Sequence, residues 1–235
     1  MKFTFGVITN KDITDQKLHE VFASIELQEI PDSDWEIVVV GGTLPWEAPN
    51  IRCIPFDEIQ KPSWITRKKN IITENAQYEN IVYMHDYVSL GEGWYEGFKK
   101  FGEDFYVCMT PIKNLDGTRY RDWTLWPDDL TDVLGSWNSK YLLPYDTNDL
   151  SKHMYVSGAY WVSKKHVMKE FPLDERLGWG ESEDVVWSKQ VRQKYNFSLN
   201  PYSTAMLLKQ KDRVFNEITP EMLQTLREYD LRLRK

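Results

Sequence analysis

Apolar positions along this chain fall into two patterns, short unbroken runs and helix-spaced stripes. The two take turns through the first eighty-odd residues. Phe3 to Thr9 is a compact apolar run and predicts a buried first strand. Thr14 to Leu27 carries Leu18, Val21, Phe22 and Ile25 at helical spacing and predicts a helix. Trp35 to Val40 is rich in β-branched residues and runs into Gly41-Gly42, as a central strand entering a loop does. Ile51 to Ile54 predicts a short third strand. Trp64 to Asn75 predicts a helix with a basic start at Arg67, Lys68 and Lys69. Ile81 to Met84 predicts a fourth strand, which ends at His85-Asp86-Tyr87.

Strand, helix, strand, strand, helix, strand is the order of a Rossmann-like half, so the chain reads as an α/β protein. Ligands of such open sheets sit beyond the carboxyl ends of the strands. Three of the four strands end in Thr9-Asn10, Gly41-Gly42 and His85-Asp86, the polar and glycine positions a ligand there requires.

The second half is less regular. Gly91 to Phe101 predicts a helix, Phe105 to Pro111 a strand, and Asn114 to Gly117 a turn. Asp122 to Asp149 is Trp-rich, acidic and almost without periodicity, and long irregular stretches of this kind are often functional loops. Met154 to Val162 predicts a strand around Ser157-Gly158, and Glu183 to Tyr195 a helix. Thr219-Pro220 supplies a cap and first-turn proline for a closing helix, Met222 to Leu233. With no repeat, low-complexity segment or linker-like composition, residues 1–235 are expected to form one domain.

Composition narrows the function more than the fold. A net charge of −7 disfavours a nucleic-acid binder. An anionic small ligand then needs a local basic patch or a metal ion. The 10 Trp and 13 Tyr suit a core, and also the flat faces on which sugar rings lie. Cys53 and Cys108 sit in apolar runs without zinc-site spacing, and are expected as reduced, buried thiols. The short apolar start is followed by polar residues, unlike a secretory leader, and no run is long enough to span a bilayer. A cytoplasmic protein with no membrane span is expected.

Two stretches carry chemistry. In Ile81 to Tyr87 an apolar strand delivers one carboxylate, Asp86, to the sheet edge, either as a ligand for Mg²⁺ or Mn²⁺ on a diphosphate or simply as a helix cap. In Leu177 to Ser188 the acids Glu181, Glu183 and Asp184 stand between a Gly-Trp-Gly turn and an apolar helix. Acids at a helix start are favoured by its dipole, and a carboxylate in a cleft can take a proton from a hydroxyl. An acidic cap is the plain alternative, and the better one for Glu181.

In this order, about a hundred residues apart, these stretches resemble the GT-A glycosyltransferases. His85-Asp86-Tyr87 is similar to a variant of the superfamily's DxD motif. Gly178 to Trp187 resembles the Gly-Trp-Gly and Glu-Asp element of the beta-1,4-galactosyltransferases and their relatives, and Tyr155 to Trp161 the glycine-containing strand before it. The resemblance implies a GT-A fold, with a mixed central sheet flanked by helices. It makes residues 1–110 the nucleotide-sugar half and 111–235 the acceptor and catalytic half. It implies a UDP-hexose donor, a glycan or other hydroxyl acceptor, and a Mn²⁺ or Mg²⁺ ion on Asp86. Inversion at the anomeric carbon is expected because the Glu-Asp pair supplies one base in line with the leaving group, with retention left open. Asp184 is then the base and Glu183 a holder of hydroxyls, although an ungapped alignment puts Glu183 at the base position.

Donor contacts are expected from Thr9, Asn10, Arg67, Lys68, Asn70, Ser157 and Gly158, and sugar or acceptor contacts from Trp179, Gly180, Asp122 and Trp123. His85 and His153 are further metal candidates, and Lys209 and Lys211 lie near the expected closing loop over the diphosphate, where ordinary surface lysines are the plainer reading. Tyr87 replaces the usual second acid, which keeps open a non-catalytic nucleotide-sugar-binding protein. A sugar nucleotidylyltransferase is the remaining alternative, but the first strand lacks the glycine-rich basic loop it needs.

Overall fold

A computed structural model describes residues 1–11, 15–42, 48–125, 141–212 and 215–233. Strand β1 (Phe3–Ile8) lies at the centre, buried along its whole length. It pairs in parallel with β2 (Trp35–Val40) on one side and β4 (Asn80–His85) on the other, and β2 pairs in parallel with β3 (Ile51–Ile54). β1, β2 and β4 are near-continuous buried runs, as strands covered on both faces are, while β3 is half-buried. Register matters most: Ile8 stands opposite both Val40 and His85. The strands therefore end level, and Thr9, Gly41 and Asp86 come out side by side at one edge.

Helix α1 (Gln16–Glu26) begins where the Asp15 carboxylate accepts from the amides of Lys17 and Leu18, and it buries Leu18, Val21, Phe22 and Ile25. The expected start at Thr14 lies outside the described residues. Helix α2 (Ile65–Asn75) packs on β1 and β2.

The other side of the sheet turns antiparallel. β12 (Tyr160–Lys164) runs against β4 and against β6 (Val107–Met109), and β13 (Phe197–Leu199) closes that edge parallel to β6. The result is a mixed sheet of seven strands in the order β13-β6-β12-β4-β1-β2-β3. The expected strand from Met154 to Val162 is two strands. β11 (Met154–Tyr155) belongs to a small sheet with β9 (Thr124–Leu125) and β10 (Tyr141–Leu142), while β12 enters the main one. The turn at Ser157–Gly158 separates them, with the Tyr160 amide donating to the Ser157 carbonyl at 3.0 Å.

Another small sheet joins β5 (Val88–Leu90), β7 (Ile112–Lys113), β8 (Arg119–Tyr120) and β14 (Ala205–Leu207). Helix α3 (Trp94–Phe101) follows β5, helix α4 (Lys165–Glu170) follows β12, and helix α5 (Glu183–Val191) precedes β13. The chain ends in α6 (Pro220–Leu233), where Thr219 Oγ1 accepts from the Met222 amide at 3.2 Å. Of the long acidic stretch, residues 126–140 lie outside the described residues.

Most aromatic residues serve the core. Trp94 packs against Phe3, Phe5 and Phe98, and Trp161 stacks on Tyr83 at 4.8 Å and leans on Trp187 at 5.7 Å. Each such ring is worth roughly 1.5–3 kcal/mol in area removed from water. Cys108 is buried and Cys53 half-buried, and neither forms a disulfide. No helix among the described residues is long and apolar enough to cross a membrane.

Candidate active site

The level ends of β1 and β4 create the first half of the site. Thr9 Oγ1 donates to Asp86 Oδ2 at 2.7 Å, and the Asp86 amide donates to the Ile8 carbonyl. Gly41 completes this edge with φ +91°. A Cβ there would lie 2.1 Å from the Thr9 carbonyl oxygen, so only glycine lets β2 come so close. Lys68 reaches up from α2, donates to the same carbonyl at 2.6 Å, and pairs with Glu58. A cavity of about 460 Å³ opens over this edge, bordered by Thr9, Asn10, Lys11, Lys68 and Asp86.

The second half is assembled around Ser157–Gly158. The Gly158 amide donates to Asp184 Oδ2 at 2.9 Å, and its carbonyl accepts from Lys69 Nζ at 2.9 Å. A Cβ on Gly158 would sit 2.9 Å from Glu183 Oε1 and 3.0 Å from Asp184 Oδ2, so the absent side chain is what lets both acids approach. Ser182, left-handed at φ 59°, turns the chain into α5. Arg121 donates to Asp184 Oδ2 at 3.1 Å. Glu183 faces Lys69 at 3.7 Å, and Lys69 also lies 4.5 Å from the Trp161 ring. A second cavity of about 320 Å³ is bordered by Glu183, Asp184, Arg121, Ser157, Gly158 and Gly180. Ser157 Oγ, buried beside it, has no hydrogen-bond partner among the described residues.

Burial dominates the electrostatics. It pushes the Lys69 ammonium down against the pull of Glu183 and Asp184. It pushes the Glu183 carboxyl up, against Lys69 and with Asp184 adding to the rise. Both partners thus move toward their neutral forms. His85 is held well below its ordinary value by burial, then by Lys69, Lys211 and Lys209, and is neutral. Its backbone amide donates to the Ala159 carbonyl, which ties β4 to the Ser157–Gly158 turn.

The two cavities meet at Ile65, His85, Tyr87, Trp179 and Lys211, which border both. Lys211 Nζ donates to the Tyr87 hydroxyl at 2.8 Å, and Lys209 lies 3.6 Å from the centre of the same ring. Burial, then Lys209 and Arg121, bring Lys211 down to about 8. Trp179 is 71% exposed at the shared rim.

Other expected site residues stand elsewhere. Arg67 pairs with Glu74 and Glu175, and Asn70 bonds Leu173 and Glu175, so both pin the 173–175 segment to α2. Asp122 is fully buried and receives bonds from Arg119, Tyr145 and two amides. Trp123 is interior too, donating to Thr147. His153 is 2.7 Å from Asp230 on α6. Ser157 and Gly158 border the cavity of Glu183 and Asp184, not that of Asp86. Missed by the sequence reading were Lys69 beneath the acids and Arg121 beside them. Lys69 follows Arg67 and Lys68 in a basic run, Lys68 is buried as well, and nothing local marks Lys69 as the one beneath the acids.

A divalent ion on Asp86 finds little to hold it. One Asp86 oxygen is occupied by Thr9, Tyr87 offers a phenol in place of a carboxylate, and two lysines stand over Tyr87. No group of three metal-ligating side chains occurs among the described residues. The described side chains do not fit a chelated ion.

No protein-family model matches the sequence, and no curated protein sequence matches it. Solved structures do match. Residues 1–349 of S. aureus TarS, in complex with UDP-GlcNAc, superpose with a TM-score of 0.60 at 13% identity, over 98% of this chain and 66% of that one. GalNAc-T7 with UDP, GalNAc and Mn²⁺ superposes with a TM-score of 0.61 at 12% identity, over 97% of this chain and 47% of that one. The chain therefore spans about two thirds of the TarS fragment and about half of the GalNAc-T7 chain. Its fold is the GT-A fold, with a mixed central sheet flanked by helices.

Proposed function

From a GT-A fold whose level strand ends carry two joined cavities, we propose a glycosyltransferase that moves a hexose from a UDP-sugar to a hydroxyl acceptor. The observation that carries this reading is the junction. A polar edge fit for a nucleotide diphosphate, at Thr9, Asn10 and Asp86, opens through His85, Tyr87 and Trp179 into a cavity holding the Glu183-Asp184 pair. The UDP-GlcNAc bound by TarS and the UDP bound by GalNAc-T7 support a uridine nucleotide.

In this scheme the donor diphosphate lies over β1 and β4, and the sugar crosses the shared rim. Asp184, oriented by the Gly158 amide and Arg121, accepts the acceptor hydroxyl's proton as that oxygen attacks the anomeric carbon. The bond to the diphosphate oxygen breaks on the opposite side, which gives inversion. Glu183, its carboxyl raised by burial, holds sugar or acceptor hydroxyls. Trp179 is the platform for the acceptor ring.

Nucleotide release from a panel of UDP-, GDP- and CMP-sugars tests the reading. One UDP-hexose should be turned over, slowly with water and faster with an acceptor. Asp184→Asn should lower that rate by about 10²–10⁴ without weakening UDP binding. Glu183→Gln should act mainly on KM. A donor that binds without turnover, with or without candidate acceptors, would point to a binding protein instead. No binding of any nucleotide sugar would sink the proposal.

A further inference from the structure

Tyr87 both removes a carboxylate from the diphosphate edge and carries two cations into it. Lys209 Nζ lies 3.6 Å and Lys211 Nζ 4.4 Å from the centre of its ring, and Lys211 also donates to its hydroxyl at 2.8 Å. The ring is an electron-rich face that holds ammonium groups. Both lysines border the cavity of Thr9 and Asp86, and Lys211 borders the second cavity as well. Among the described residues neither is ion-paired with a carboxylate. Each other lysine of the site has an anionic partner: Lys68 holds Glu58, Lys11 holds Asp15 and Lys69 faces Glu183. A lone Asp86, engaged by Thr9, is a poor chelator, and two unpaired ammonium groups in a half-buried cleft are a strong attractor for a dianion.

Resting on the nucleotide-sugar reading above, we infer that Lys209 and Lys211, set on Tyr87, neutralise the donor diphosphate in place of a chelated divalent cation. As the sugar's anomeric C–O bond breaks, the electron pair passes to the diphosphate oxygen. The two ammonium groups stabilise that charge with no change in their own covalent state.

Titration calorimetry with UDP and with uridine, in EDTA and in Mn²⁺, tests this on the whole chain. UDP should bind in EDTA, and Mn²⁺ should change its affinity by less than about threefold. Lys209→Met and Lys211→Met, which keep the stems packed on Tyr87, should each weaken UDP by at least about tenfold, the scale of one charge-assisted contact. Uridine affinity should stay at the wild-type value, which also reports that each variant is folded. UDP binding that appears only with Mn²⁺, or lysine variants that bind UDP as wild type does, would overturn the inference. If neither UDP nor uridine binds in either condition, the nucleotide-sugar reading itself falls and takes this one with it.

Discussion

Gly158 concentrates the chemistry of the site at one residue. Its amide faces Asp184, its carbonyl faces Lys69, and its missing side chain leaves room for both acids. Gly158→Ala should therefore disturb the site more than the fold. A Cβ 2.9 Å from Glu183 and 3.0 Å from Asp184 must push the carboxylates away, with overpacking worth about 1–3 kcal/mol. The expected result is nucleotide release lost by more than tenfold with UDP affinity kept, and a lower midpoint in thermal unfolding. Wild-type turnover in the variant would show that the close approach is not needed. The acids and the glycines were legible in the sequence because they stand as a local motif. Lys69 was not, since a lysine's burial is decided by Trp161 and Glu183, which are about 90 and 115 residues away in the chain. Arg67 and Asn70 misled for the same reason: α2 turns them toward the 173–175 segment, and no local pattern records which way a helix faces.

Elements tell a similar story. Of the four parallel strands, β1, β2 and β4 were legible as buried runs and the half-buried β3 as a short apolar one, and α1, α2 and α3 because their apolar stripes are long enough to show a period. β9 and β11 are two residues each, too short for any periodicity, and exist only through partners elsewhere in the chain. Met154 to Val162 read as one strand because both pieces are apolar, yet they serve different sheets. Helix α6 is tied to the body by a buried contact at Asp230, besides the exposed Arg227–Asp149 pair. Asp230, buried, takes His153 at 2.7 Å and Lys152 at 2.9 Å. Burial acts to raise its carboxyl, but these two partners hold it below its ordinary value of 3.8. A depressed carboxylate lends stability that is present above that value and lost as pH falls below it. Hydrogen exchange along α6 should thus quicken below pH 3.8 relative to α1, and Asp230→Asn should remove the difference at the cost of about 1–3 kcal/mol. Equal acid response of the two helices would refute the role given to this contact.

For the molecule as a whole, the charge of −7 and the lysine-lined edge are reconciled by position. The acids are spread over the chain, while Lys68, Lys209 and Lys211 converge where three strands end. The fold's type and the edge over which the first cavity opens could be read from strand order, because strand order decides where such sheets offer a ligand site. The join between the two cavities could not be read, since it is made by residues 65, 85, 87, 179 and 211 from distant parts of the chain. One of them has an optical consequence. Among the described tryptophans only Trp179 is exposed, at 71%, while Trp35 and Trp64 are half-buried and Trp94, Trp123, Trp161 and Trp187 are buried in the core. Acrylamide reaches indoles in contact with water and spares those inside, so a quenchable, red-emitting fraction of the intrinsic fluorescence should come from the rim. Any ligand that settles across both cavities should shield that fraction and shift its emission to the blue, whereas Trp179→Phe should erase the response. The protein then reports its own occupancy without a label, even for a compound it binds and never turns over.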